Sequence, residues 1–298
     1  MSERGGSSPD PEVPDSWHEL VGAMETAGPR GAVYVLGAND TGKSTLCRWL
    51  RVALATEGGV PLLSCDPGQG EIGPPGAVAL DVGSPAGDAG PLLRFVGSVS
   101  PPGHLLQTLT GIHALARRAA ETEAAGPVCD SSGFAVGDVA REFQFHVIDA
   151  LRPGHLVALQ RDEELEPVLA CFDPGPVEVH RLGVVGAVQR RSREERRRRR
   201  EERFARYFQD AASRRIDLVG RGLHGHVPDL EKGEELAGLL VAPCDEEGFA
   251  LALGILREVH SEGRWAEILS PSFSTARLAS LQFGSLRVRA DGTHGRRA

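Results

Sequence analysis

Lysine is nearly missing from this chain: of 33 basic side chains only Lys43 and Lys232 are lysines. Where chemistry needs a compact ammonium on a flexible stem, the choice is almost forced onto Lys43. Aromatic residues are also scarce, at 5%. The five cysteines (Cys47, Cys65, Cys129, Cys171 and Cys244) are odd in number, far apart and never closely paired. That pattern suggests neither a disulfide framework nor a zinc site, and predicts small core residues. No apolar run approaches the roughly 18–20 residues of a membrane span, and Ser2 to Asp15 is polar, without a hydrophobic leader segment. A soluble, cytoplasmic protein with no membrane partner is therefore expected. The formal charge of −8 excludes a globally basic nucleic-acid coat, so any polyanion must meet a local basic patch.

What is present has a clear organisation. Residues 1–15, rich in Ser, Gly, Pro and Glu, are expected to form a disordered tail. From Asp15 to Ala27 the spacing of Trp17, Leu20, Val21 and Met24 predicts an amphipathic helix. Short apolar runs then alternate with polar turns and helical stretches, the pattern of a parallel sheet covered by helices. Strands are predicted at Ala32–Leu36, Pro61–Cys65, Leu93–Val96, Pro127–Cys129, Leu156–Leu159 and Val177–Arg181. Helices are predicted at Ser44–Thr56, Leu105–Ala125, Val139–Leu151 and Glu163–Cys171. Beyond Arg215, glycine-punctuated apolar runs (Ile216–Val219, Leu239–Val241, Phe249–Leu256, Leu278–Leu281, Leu286–Val288) predict a small strand-rich appendage.

The strongest chemical signal is Gly37-Ala38-Asn39-Asp40-Thr41-Gly42-Lys43-Ser44-Thr45, a phosphate-loop pattern between a strand and a helix. Such a loop wraps phosphate oxygens with backbone N–H groups at a positive helix end. Lys43 is then placed to reach the β- and γ-phosphates, and Ser44 to hold Mg²⁺. Two acids are expected at neighbouring strand ends: Asp66 in Cys65-Asp66-Pro67-Gly68-Gln69-Gly70-Glu71, and Asp130 before Ser131-Ser132-Gly133-Phe134. Either can act as metal ligand, Asp66 also as general base, and spacing leaves the division open; a plain strand-end turn is the alternative for both.

Between Arg190 and Arg206 ten arginines meet four glutamates, a local balance of +6 in an acidic chain. Phosphoryl transfer is largely positioning and charge stabilisation, so an arginine-rich helix suits a lid over the γ-phosphate. For most of these arginines a solvated helix face or a non-specific RNA-binding surface is the simpler reading. Phe134, beside a glycine at a strand end, suits either base stacking or the core. The ten histidines, among them His104, His113, His146, His224 and His226, show no metal-like spacing with cysteines or acids, so neither a zinc site nor a nucleophilic site is expected.

The motifs GANDTGKST, CDPGQGEIGPPG, FVGSVSPPGH, DSSGFAVG and RRSREERRRRREERFARYF follow one another as in the polynucleotide 5′-hydroxyl-kinase family, which the chain resembles from Ala32 to Phe208. That family includes RNA kinases of the pre-messenger-RNA cleavage complex and of ribosomal-RNA processing. The resemblance implies that Gly37, Asn39, Asp40, Thr41, Gly42, Lys43, Ser44 and Thr45 hold ATP or GTP with Mg²⁺. It implies that Asp66 activates the hydroxyl or orients the metal, supported by Gln69. A loop of Ser98 to His104, with Ser98, Ser100 and His104 facing substrate, would clasp it. Arg191, Arg193, Arg196, Arg197 and Arg200 would supply the lid, and Phe134 stands where eukaryotic relatives stack a tryptophan on the terminal base. The separate amino-terminal β domain of eukaryotic relatives is not expected ahead of this loop.

The expected architecture is α/β: a P-loop NTPase parallel sheet flanked by helices (residues 16–210), with an arginine-rich helical lid at 190–208 and a small β-rich carboxyl-terminal part (211–298). The expected activity is transfer of a γ-phosphate to the 5′-hydroxyl end of RNA or DNA. Rival expectations are a catalytically inactive ATP-binding scaffold in an RNA-processing assembly and a small-molecule or nucleoside kinase.

Overall fold

The computed structural model describes residues 13–27, 31–55, 59–83, 90–122, 126–186, 188–260 and 264–296. Most of the expected amino-terminal tail lies outside these residues, and Asp15 already opens helix α1 (Asp15–Ala27). Strand β1 (Val33–Gly37) is buried along its whole length. Its side chains alternate between faces: Val33 and Val35 enter one hydrophobic cluster, Tyr34 and Leu36 another. Burial on both faces explains the unbroken apolar run.

Around β1 lies a seven-stranded sheet in the order β4-β3-β2-β5-β1-β6-β7. Its other strands are β2 (Leu62–Ser64), β3 (Ala77–Asp81), β4 (Leu92–Phe95), β5 (Val128–Asp130), β6 (His155–Gln160) and β7 (Glu178–Gly183). Strands β2, β5, β1, β6 and β7 pair in parallel, while β3 and β4 add an antiparallel edge. α1 and α2 (Lys43–Ala53) cover one face through Trp17, Leu20, Leu46 and Leu50. α3 (Leu105–Ala120) and α4 (Asp138–Leu151) cover the other through Ile112, Leu115, Phe143 and Val147.

Two expectations required correction here. The helix predicted over Glu163–Cys171 is the single turn α5 (Glu166–Leu169), with proline in its first turn. β3 was not anticipated: Ala77-Val78-Ala79-Leu80 carries small residues between glycine-rich loops, and pairing with β4 rather than propensity makes it a strand.

α6 (Arg193–Tyr207) follows, and then a second seven-stranded sheet of β8 (Ala212–Asp217), β9 (Gly222–Gly225), β10 (Leu239–Cys244), β11 (Gly254–His260), β12 (Trp265–Ser270), β13 (Ser280–Val288) and β14 (His294–Arg296). Its main path runs β14-β13-β10-β11-β12-β8, with β9 beside β13. The runs expected at Leu278–Leu281 and Leu286–Val288 belong to one region, with β13 continuous from Ser280 to Val288 through Gly284. One hydrophobic cluster joins both sheets: Ala77, Ala79, Leu93 and Phe95 of the first, Phe204 and Phe208 from α6 and its end, and Leu240, Leu253 and Leu286 of the second part. The cationic helix is therefore seated by its apolar foot between the two sheets.

Candidate active site

Four adjacent strands deliver the chemistry to one edge. β1 ends in the phosphate loop, β2 is followed by Asp66, β5 ends at Asp130, and β6 is followed by Arg161. Parallel pairing puts all four carboxyl ends together, where open α/β sheets bind ligands.

Gly42 caps α2, and Lys43 begins it. Lys43 is 8% exposed and its Nζ donates to the Ala38 carbonyl at 2.7 Å, curling over the loop it belongs to. Burial pulls its pKa down, while the charges of Asp130 and Asp66 pull it back up. Thr41 Oγ1 donates to the same carbonyl at 3.0 Å.

Ser44 Oγ donates to Asp130 Oδ2 at 2.6 Å. Asp130 is buried, and desolvation pushes its pKa up to about 6 against the opposing pull of Lys43 and the Ser44 hydrogen bond. Its Oδ1 is buried without a hydrogen-bond partner among the described residues. A hydroxyl and a carboxylate in contact, with one buried oxygen left over, form an oxygen donor set that fits Mg²⁺.

Asp66 is held differently. Its Oδ1 accepts N–H bonds from Gly68 at 2.8 Å and Gln69 at 2.9 Å, and its Oδ2 faces the Gly133 N–H at 3.3 Å. The Asp-Pro-Gly-Gln segment is thus a turn that fixes a carboxylate's direction. The clasp segment is adjacent: a Cβ at Gly68 would lie 2.2 Å from the Val99 carbonyl, so only glycine permits this approach.

The arginine helix reaches across the loop. Asp40 takes a left-handed φ of 56°, and its Oδ2 accepts both the Arg191 N–H at 3.0 Å and Arg196 Nη1 at 2.9 Å. The Asp40 and Arg196 side chains are only 9% and 21% exposed, so solvent screens this pair less than an ordinary surface bridge. Ser192 and Glu195 form a reciprocal capping box at the start of α6. Further along, Arg203 donates to the Gly73 carbonyl, anchoring the helix on the loop that carries Asp66. Burial lowers the pKa of Arg200 and Arg203, and the charge of Asp66 opposes it in both.

The remaining candidates are scattered. Asn39 is exposed on the loop, Thr45 in the first turn of α2, and Arg193 at the start of α6. Arg197 is committed to Glu201 at 2.8 Å and to the His294 carbonyl of β14 at 3.3 Å. Arg200 Nε lies 3.3 Å from His294 Nε2. Ser98 is buried and Ser100 partly so. His104 is buried with its Nε2 2.7 Å from Ser285 Oγ of β13, which places it against the second sheet. Phe134 packs on the core cluster, its ring 6.2 Å from Phe143, and remains partly exposed.

Two participants escaped sequence reasoning. Arg161 Nη2 donates to the Asp40 carbonyl, clamping the loop from β6. Arg203 was counted only as one of the ten arginines. Neither sits in a motif; strand order and helix phase bring them in.

Fold and site together define a P-loop phosphotransferase-type nucleotide-binding protein with a cationic helix anchored beside the phosphate loop. Residues 37–210 match the family described as mRNA cleavage and polyadenylation factor CLP1 P-loop. The chain belongs to that family. It is 26% identical to the polyribonucleotide 5′-hydroxyl-kinase of Pyrococcus horikoshii, over 94% of this chain and 92% of that one. It is 24% identical to the polyribonucleotide 5′-hydroxyl-kinase of Methanocaldococcus jannaschii, over 94% and 93%. Among solved structures, Clp1p in a Clp1p–Pcf11p complex superposes with a TM-score of 0.67 at 16% identity, covering 92% of this chain and 79% of that chain.

Proposed function

We propose that this protein is a polynucleotide 5′-hydroxyl kinase that moves the γ-phosphate of a nucleoside triphosphate, ATP by default or GTP, to the 5′-hydroxyl of RNA. The observation that carries the reading is the double anchoring of α6, to Asp40 of the phosphate loop and to the loop bearing Asp66. It sets cations above a phosphate cradle with a carboxylate beside them.

In this scheme the loop N–H groups and Lys43 bind the triphosphate. Lys43 exchanges its bond to the Ala38 carbonyl for phosphate oxygens. Ser44 and Asp130 would hold Mg²⁺, which supplies charge neutralisation at the phosphate oxygens. Asp66, aimed by Gly68 and Gln69, accepts the proton of the attacking hydroxyl. Arg191, Arg196 and Arg200 offset charge on the transferring phosphoryl group. The segment around Ser98 and Ser100 and the partly exposed Phe134 would receive the terminal nucleotide. We assign residues 16–210 to the catalytic unit and 211–298 to the part that seats the lid.

The test is incubation with γ-labelled ATP and matched RNA and DNA oligomers bearing 5′-hydroxyls. Label on RNA, lost by at least about 10²-fold in Lys43→Ala, is the expected result. Retained nucleotide with no labelled product would favour a scaffold, and preferential labelling of free nucleoside a small-molecule kinase.

A further inference from the structure

We propose that His155, Glu178 and His180 form a transition-metal site, suited to Zn²⁺, at the edge of the first sheet and apart from the phosphate loop. His155 is distant in sequence from Glu178 and His180, and strand pairing brings it to them. His155 opens β6 and is the register partner of Glu178, which opens β7. His180 lies two residues further along β7, so by the alternation of a strand it shares a face with Glu178.

Their donor atoms already have the spacing of a coordination sphere. His155 Nδ1 lies 3.1 Å from His180 Nε2 and 3.6 Å from Glu178 Oε2, and all three donor atoms fall within 4.8 Å of one another. Ligands at about 2.0–2.1 Å from a tetrahedral ion stand roughly 3.3 Å apart. Two imidazoles and a carboxylate make a nitrogen-rich set that favours zinc over magnesium or calcium. The His155 side chain is 5% exposed and Glu178 45%, so the site is walled inside and open at its rim.

The location points to a structural clip. His155 pairs with Val33 at the start of β1, while the phosphate loop leaves from Gly37 at the other end, which pairs with Leu159. Four residues of strand separate those levels by about 13 Å. β7 is the edge strand of its sheet, and the chain leaving it at Gly183 runs to Ser192, the cap of the lid helix. Pinning β7 to β6 would steady the approach to the lid.

The experiment is titration of the chelator-treated full chain with Zn²⁺ by calorimetry, alongside Co²⁺ and visible absorption. The expected result is one Zn²⁺ per chain and the intense bands of four-coordinate cobalt, bleached by Zn²⁺. A Tm rise of about 5 °C is expected at a hundredfold excess over Kd. His180→Gln and Glu178→Gln should each weaken binding at least about tenfold, and Lys43→Ala should leave it intact. Failure of the wild-type chain to take up Zn²⁺ at micromolar concentration would overturn the proposal. So would uptake that persists unchanged in the doubly substituted His155→Gln, His180→Gln chain.

Discussion

Asp130 shows how the site stores instability at a single residue. Its carboxyl titrates near about 6 because burial outweighs the help from Lys43 and Ser44. An acid whose pKa rises on folding opposes folding once ionised. The opposition is absent below the unfolded value of about 4, grows between about pH 4 and 6, and is complete above. Asp130→Asn is therefore expected to stabilise the ligand-free protein at pH 7.5 by on the order of 2–3 kcal/mol, with the gain vanishing near pH 4. Thermal unfolding across that pH range measures it. The same substitution removes the charge that would bind Mg²⁺, so transfer should fall as stability rises. Both acids were visible in the sequence as strand-end residues, but their division was not. It rests on which one meets Ser44 and which one closes a turn, and strand register decides that.

Helix α6 is the element in which local and long-range forces combine. Glu-Arg pairs at i,i+4, such as Arg197–Glu201 and Arg198–Glu202, lie on exposed helix surface and add only tenths of a kcal/mol. The capping box and the Asp40–Arg196 pair contribute more per residue. Ser192→Ala is expected to cost about 1 kcal/mol of local stability, read as faster amide exchange in the first turn of α6. Arg196→Ala should lower kcat by about 10²-fold or more and leave nucleotide affinity nearly unchanged, since the guanidinium acts as charge builds in the transition state. Steady-state kinetics and nucleotide titration separate those two effects.

The parallel strands and the phosphate loop were legible because buried strands read as apolar runs and the loop has a strict pattern. Arg161 and Arg203 were not, because their roles depend on which strand neighbours β1 and which face of α6 turns inward. The grouping of His155 with Glu178 and His180 has no signature along the chain for the same reason: the pairing of β6 with β7 creates it across strands.

At the scale of the whole molecule, the second sheet packs against α6 and holds it in place. Phe204 and Phe208 enter a cluster shared by both sheets, and Gly292 of the last turn packs on the α6 backbone. The sheets also touch directly. Gly97, after β4, lies so close to Gly284 of β13 that a Cβ on Gly97 would be 2.4 Å from the Gly284 Cα, and Ser285 N donates to the Gly97 carbonyl at 3.0 Å. Gly97 also has a φ of 74°. Gly97→Val should therefore destabilise the chain by at least about 2 kcal/mol and loosen the seating of α6, seen as a lower denaturation midpoint.

That seating matters only if the cations and Asp66 meet at the terminal phosphate of a nucleotide in the loop. The direct measurement is single-turnover transfer to a 5′-hydroxyl RNA oligomer by wild type and Asp66→Asn, with nucleotide affinity determined in parallel. The predicted result is a loss of about 10²–10⁴-fold in transfer rate with nucleotide binding within a few-fold of wild type. Transfer by Asp66→Asn at the wild-type rate would contradict it.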